Sequence, residues 1–213
     1  MTTQQPNSPA PRSWGWLPVA LLVALLGLGA CSGGGSEATK PAAQILTDAQ
    51  AAAKTAASVH IIGGLNRGGA PATLELVLTN RGDGTEHISA AGRRIDITRI
   101  GPTVWVQGLP GTGPGYQRLP PQDPRAAQLG RELDKNTVFD QLVNSTDQAS
   151  IVGADTVNGQ PTVKLKPQTG PGTLDIATDP THPYPLRINS SGNNTITFTD
   201  WDQPITITPP PGS

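Results

Sequence analysis

One cysteine, one methionine, three histidines, two tyrosines, two phenylalanines and four tryptophans are all that this 213-residue chain holds of those types. A single cysteine excludes an internal disulfide and any multi-thiolate metal site, so stability has to come from burial and backbone hydrogen bonds. His60, His87 and His182 have no second histidine, cysteine or close carboxylate at ligand spacing, which excludes a zinc motif. Charge is sparse as well: 15% of residues are charged and the formal net charge is −1. Without a basic surplus, nucleic acid is excluded as a partner. No nucleophile elbow, phosphate-binding glycine motif or ordered serine, histidine and acid is present. Asp200 and Asp202, on either side of Trp201, are expected to share one face of a strand as surface charge rather than to form an acid/base pair. The chain therefore reads as a non-enzyme that needs no cofactor.

The longest apolar run, Leu17 to Ala30, carries no charge and ends in small residues, with Arg12 and the amino terminus upstream. At about 14 residues, or roughly 21 Å as a helix, it is short for a hydrocarbon core of about 30 Å and fits the apolar region of a secretory signal. Cys31, the sole cysteine, follows at once and is succeeded by Ser32-Gly33-Gly34-Gly35. The tetrapeptide Leu28-Gly29-Ala30-Cys31 resembles the lipobox of bacterial lipoproteins. The resemblance implies cleavage between Ala30 and Cys31 and diacylation of the Cys31 thiol. Two chains hold a protein stably on a bilayer where one holds it only marginally. The competing reading is an ordinary cleaved signal with an unrelated cysteine, or a short uncleaved anchor.

Twenty-five glycines and 22 prolines favour many short strands joined by turns over a helical protein. The expected organisation is a signal peptide over 1–30, a flexible tether over 31–40, one domain over 41–208 and a disordered tail over 209–213. Within the domain, Ala42 to Ala57 is rich in strong helix formers and places Ile45, Leu46, Ala49, Ala52, Ala53 and Ala56 on one face. After Ser58 the period changes to two. Strands are predicted through Leu74, Leu76 and Leu78, from Thr85 to Ala90, and through Ile95, Ile97, Val104 and Val106. Gly108 to Gly115 is a loop; Asp123-Pro124 opens a helix, and a shorter one surrounds Phe139. Strands resume at Ala149 to Thr156, turn at Asn158-Gly159, and continue through Thr162–Lys166, Thr173–Thr178, Pro185–Asn189, Thr195–Thr199 and Ile205–Thr208.

This order of helix, meander, helical insertion and second meander is similar to the LolA-like half-barrel, and in particular to the actinobacterial lipoproteins LppX, LprA, LprF and LprG. The stretches that carry the likeness are Ala49 to His60, Val157 to Leu165, Pro183 to Ile188 and Phe198 to Ile207. The fold it implies is mainly β (α+β): a curved antiparallel sheet with an N-terminal helix and a helical insertion on the concave side. In relatives the apolar cavity so formed receives acyl chains, which implies a lipid or glycolipid ligand and a monomer tethered through Cys31 at the outer face of the cytoplasmic membrane. Leu74, Leu76, Leu78, Ile95, Ile97, Val104, Val106, Leu174, Ile176, Ile196 and Phe198 are the residues expected to line it. The same eleven side chains also suit a plain hydrophobic core, which leaves a non-enzymatic interaction or structural lipoprotein without a cavity as the alternative. Trp201 is expected to close one end of the core.

Overall fold

The structure is a computed structural model that describes residues 36–67, 70–144, 148–168, 172–191 and 194–212. Cys31, Ala30 and the apolar run before them lie outside the described residues. A single open, curved antiparallel sheet of eleven strands forms the frame, in the order β6-β5-β4-β3-β2-β1-β11-β10-β9-β8-β7. Its first half is a meander of β1 (Ser58–Arg67), β2 (Ala70–Thr79), β3 (Gly84–Ala90), β4 (Arg93–Ile100), β5 (Thr103–Gln107) and β6 (Gln117–Arg118). The second half is a meander of β7 (Ala149–Val157), β8 (Gln160–Pro167), β9 (Gly172–Ala177), β10 (Pro185–Ser190) and β11 (Asn194–Thr199). The first and last strands pair with each other, His60 opposite Thr199 and Gly63 opposite Ile196, and this seam fuses the two halves.

Three helices pack on one face. The first, α1 (Ala42–Thr55), precedes the sheet, while α2 (Pro124–Glu132) and α3 (Lys135–Asn144) link β6 to β7. Pro41 precedes the first turn of α1, where a missing N–H costs nothing. Asp123 caps α2 by accepting the N–H of Arg125 at 2.9 Å, with Pro124 at the first helical position. Ile45, Leu46 and Ala49 of α1 are buried against Val163, Leu165, Leu174 and Ile176. Ala52, expected on the same face, is only half-buried. Leu119, Ala126, Leu133 and Phe139 seal a second cluster with Val59, Ile61, Leu76, Leu78, Ile97, Val104, Val106 and Phe198.

Turn chemistry follows the residues. Asn158 (φ 50°) and Gly159 (φ 80°) both sit in the left-handed region, which matches the right-handed twist of the flanking strands. Two expectations need correction. Ile205–Thr208 forms no strand, because β11 is already flanked on both sides by β1 and β10 and the neighbouring prolines remove donors. Asp200 and Asp202 are turn residues with φ of 51° and 60°, not successive positions on a strand. At the other end, Glu37–Thr39, inside the expected tether, form a 3-10 turn in which Glu37 is buried and its N–H donates to the Thr178 carbonyl at 3.2 Å.

Candidate functional site

Antiparallel pairing sets directly opposed residues on the same face of the sheet, so the register can be read as rows of side chains crossing it. On the helix-bearing face three rows are apolar. The innermost runs Val59, Leu78, Gly84, Arg99, Val104. The middle one runs Phe198, Ile61, Leu76, Glu86, Ile97, Val106. The outer row is the longest: Leu165, Leu174, Ile188, Ile196, Gly63, Leu74, Ile88, Ile95, one residue from each of eight consecutive strands.

The helices cover these rows unequally. Every side chain of the middle row is buried, and Leu165 and Leu174 lie buried near α1. From Ile188 to Ile95, by contrast, Ile188, Ile196, Leu74, Ile88 and Ile95 are only half-buried. The outer row is therefore an apolar stripe, buried at its α1 end and half-exposed across β10 to β4. Gly63 stands at its midpoint with the space beside it already taken: a Cβ there would press on the Leu74 Cβ at 3.3 Å and meet the Ile196 Cγ1 at 3.6 Å.

All eleven residues expected to line a cavity lie on this face. Leu74, Ile95, Ile196 and Leu174 belong to the outer row; Leu76, Ile97, Val106 and Phe198 to the middle row; and Leu78 and Val104 to the inner one. Ile176 is opposite Pro185 and buried with Val163. Leu165, Gly63, Ile88 and Ile188 complete the outer row and Glu86 interrupts the middle row; none of the five was expected to line a cavity. Their signal was present in β3, where Glu86 and Ile88 are two apart and so share a face.

Glu86 is the one acid in these rows. It is 7% exposed, and its Oε2 has no hydrogen-bond donor. Burial, with a smaller contribution from the like charge of Glu132 on α2, pushes its carboxyl up to about 7. Arg99, on the same face, is committed elsewhere: its guanidinium donates to the carbonyls of Gly130 at 2.5 Å and Gly101 at 3.1 Å.

The opposite face is polar. His60 bridges Glu75 at 3.0 Å and Asp200 at 3.2 Å, and Arg94 pairs with Asp96 at 2.8 Å. Asp155 receives Lys164 at 2.8 Å and Arg187 at 2.6 Å, and these partners hold its carboxyl below the usual carboxylate range. One face is thus built for water and the other for hydrocarbon.

At one end of the strands lies a cleft of about 780 Å³ lined by Ala177, Tyr184, Leu186, Phe198 and Trp201 among others. Trp201 stacks on Tyr184 with ring centres 4.4 Å apart and planes at 8°, and its ring also meets Phe139 at 5.5 Å. It closes the core end as the sequence suggested. The Tyr184 hydroxyl donates to the Asp202 carboxylate, whose other oxygen accepts the Ala57 N–H at 2.6 Å.

An open, curved antiparallel sheet with helices on its apolar face defines the LolA-like half-barrel class. Among solved structures, LprF from Mycobacterium bovis is similar, with a TM-score of 0.57 over 83% of this chain and 99% of its own at 23% identity. The Mycobacterium tuberculosis lipoprotein LppX gives a TM-score of 0.53 over 78% of this chain and 97% of its own at 16% identity. No protein-family model and no curated protein sequence matches the chain. The likeness is one of fold, and it is the fold that the sequence pattern implied.

Proposed function

We propose that this chain is a membrane-anchored extracytoplasmic lipoprotein that binds the acyl chain of a lipid or lipidated molecule, glycolipids included, along its helix-bearing face. One observation carries the reading: an apolar row continuous over eight strands, of which the part from Ile188 to Ile95 is left half-open. Half-exposed aliphatic side chains in a continuous row are a surface on which a hydrocarbon chain gains from leaving water, about 0.8 kcal/mol per methylene. Cys31, diacylated, supplies the anchor, and among the described residues no helix is long and apolar enough to cross a membrane.

Native mass spectrometry of the Cys31→Ser chain, purified from the producing cell, tests this. The expected spectrum contains protein carrying lipid mass. Bare protein alone, together with an experimental structure in which α2 and α3 close over the outer row, would sink the proposal. A second reading, a protein-interaction module, rests on Ile151 and Val152 of edge strand β7, which are 44% and 49% exposed. A specific protein partner that is lost with Val152→Lys, while lipid exchange stays silent, favours that reading.

A further inference from the structure

We infer that Glu86 is a specificity-determining residue of the apolar face: it accepts a hydrogen bond from a hydroxyl or ammonium group beside the ligand's acyl chain, and it excludes lipids that place a carboxylate or phosphate there. The inference rests on the lipid-binding reading above and adds a choice of headgroup chemistry to it.

The geometry is that of a carboxyl whose Oε2 is buried without a protein partner. In register, Glu86 is opposed by Leu76 on one side and Ile97 on the other, so both neighbouring strands present hydrocarbon to it. From the helices, the ionisable group that bears on it is Glu132, of the same sign. Arg99, the cation of the next row, has turned its guanidinium to the carbonyls of Gly130 and Gly101. A carboxylate buried without a donor is costly, and an apolar residue of similar size would suit the fold better. A position that is expensive for the fold and unserved by it is one where a ligand donor would be strongly favoured.

Its place along β3 connects it to the outer row. Ile88, two residues further on and on the same face, belongs to the half-open outer row, so Glu86 stands about 7 Å inward from it along the strand. A chain lying over Leu74, Ile88 and Ile95 meets this carboxyl by carrying its root inward, beneath the helices that bury the middle row. A donor at the chain's root satisfies it, whereas a second anion would add like charge in a dry setting.

The test compares ligands that share one hydrocarbon chain. Octadecanol, octadecylamine and stearate compete with a fluorescent octadecyl probe for the Cys31→Ser chain at pH 8. The alcohol and amine are expected to displace the probe at about tenfold lower concentration than stearate, the difference that a charge-assisted hydrogen bond supports. Glu86→Gln should narrow that gap by improving stearate, and Glu86→Leu should abolish it, with thermal unfolding confirming that each variant is folded. If Glu86→Leu keeps the tenfold order, or wild type binds all three equally, the specificity role is overturned while lipid binding stands. If the probe never binds, it is the lipid-binding reading that fails. Should Glu86→Leu not fold, the near-isosteric Glu86→Gln decides the question by itself.

Discussion

The ammonium of Lys135, at the start of α3, lies 2.5 Å from the carbonyl oxygen of Ala53 near the end of α1, and 2.8 Å from that of Lys54. Helix ends leave carbonyls without intrahelical donors, and here the Ala57 N–H that would otherwise serve Ala53 is given to Asp202. Lys135 is 2% exposed, so one buried cation closes α1 and fastens it to α3. Gln50 adds a bond to Asp140 at 2.8 Å along the same seam. Of the covering of the sheet, α1 and α3 are therefore one unit rather than two separate helices.

Lys135→Met should keep the hydrocarbon and strand the two carbonyls. The expected loss is about 2 kcal/mol, the cost of leaving buried acceptors unserved, read from the midpoint of urea unfolding. An unchanged midpoint would show that α1 and α3 do not depend on this contact.

Glu86 sets the direction of a pH dependence. Its folded carboxyl is raised to about 7 from an ordinary 4.5, so the folded state holds a proton that the unfolded state has already released. Stability contributed by the neutral form is thus complete below about pH 4.5 and is lost as pH rises through 7, by about 3 kcal/mol. The groups around the carboxyl are Leu76, Ile97 and Glu132, none of which supplies a compensating cation. Urea unfolding of Glu86→Gln from pH 4.5 to 8 is expected to show this slope removed relative to wild type.

Gly63 offers a way to crowd the outer row at its midpoint, against Leu74 and Ile196. Its backbone is extended, so a side chain is conformationally permitted there, but a Cβ would come within 3.3 Å of the Leu74 Cβ, which has to give way. Gly63→Phe should cost about 1–3 kcal/mol of stability through overpacking and lose co-purifying lipid by about tenfold, equivalent to about 1.4 kcal/mol of binding. Retention of the full lipid complement would move the acyl site away from the outer row.

Asp202 and Tyr184 separate a hydrogen bond from a cap. Tyr184→Phe removes one donor from Asp202 and leaves the stack on Trp201, for an expected cost of about 1 kcal/mol. Asp202→Ala also strands the Ala57 N–H and places alanine at a φ of 60°, so it should cost about twice as much in thermal unfolding.

Cys31→Ser should abolish partitioning into detergent while leaving the folded domain intact, measured by phase separation and circular dichroism. A variant that still partitions would refute the lipid anchor.

The sheet was legible because its signal is local: Leu74, Leu76 and Leu78 alternate, Asn158-Gly159 dictates its own turn, and Asp123-Pro124 marks a helix start. Glu86 was not legible. Period-two reading looks for apolar residues, and an acid among them reads as an outward-facing position until a partner strand fixes the register. Lys135 was hidden for a different reason, since the carbonyls it serves lie 82 and 81 residues away and no local pattern announces a long-range cap. Ile205 and Ile207 show the converse: good alternation yields no strand where the sheet offers no vacant neighbour.

The seam between β1 and β11 joins residues as far apart as His60 and Thr199, 139 positions along the chain. Each meander alone has an unpaired central edge and half of the apolar row, so neither half can bury what it makes. Closure of the sheet therefore waits for two segments far apart in sequence to meet, a pairing of high contact order that slows folding and leaves both central edges open until it forms.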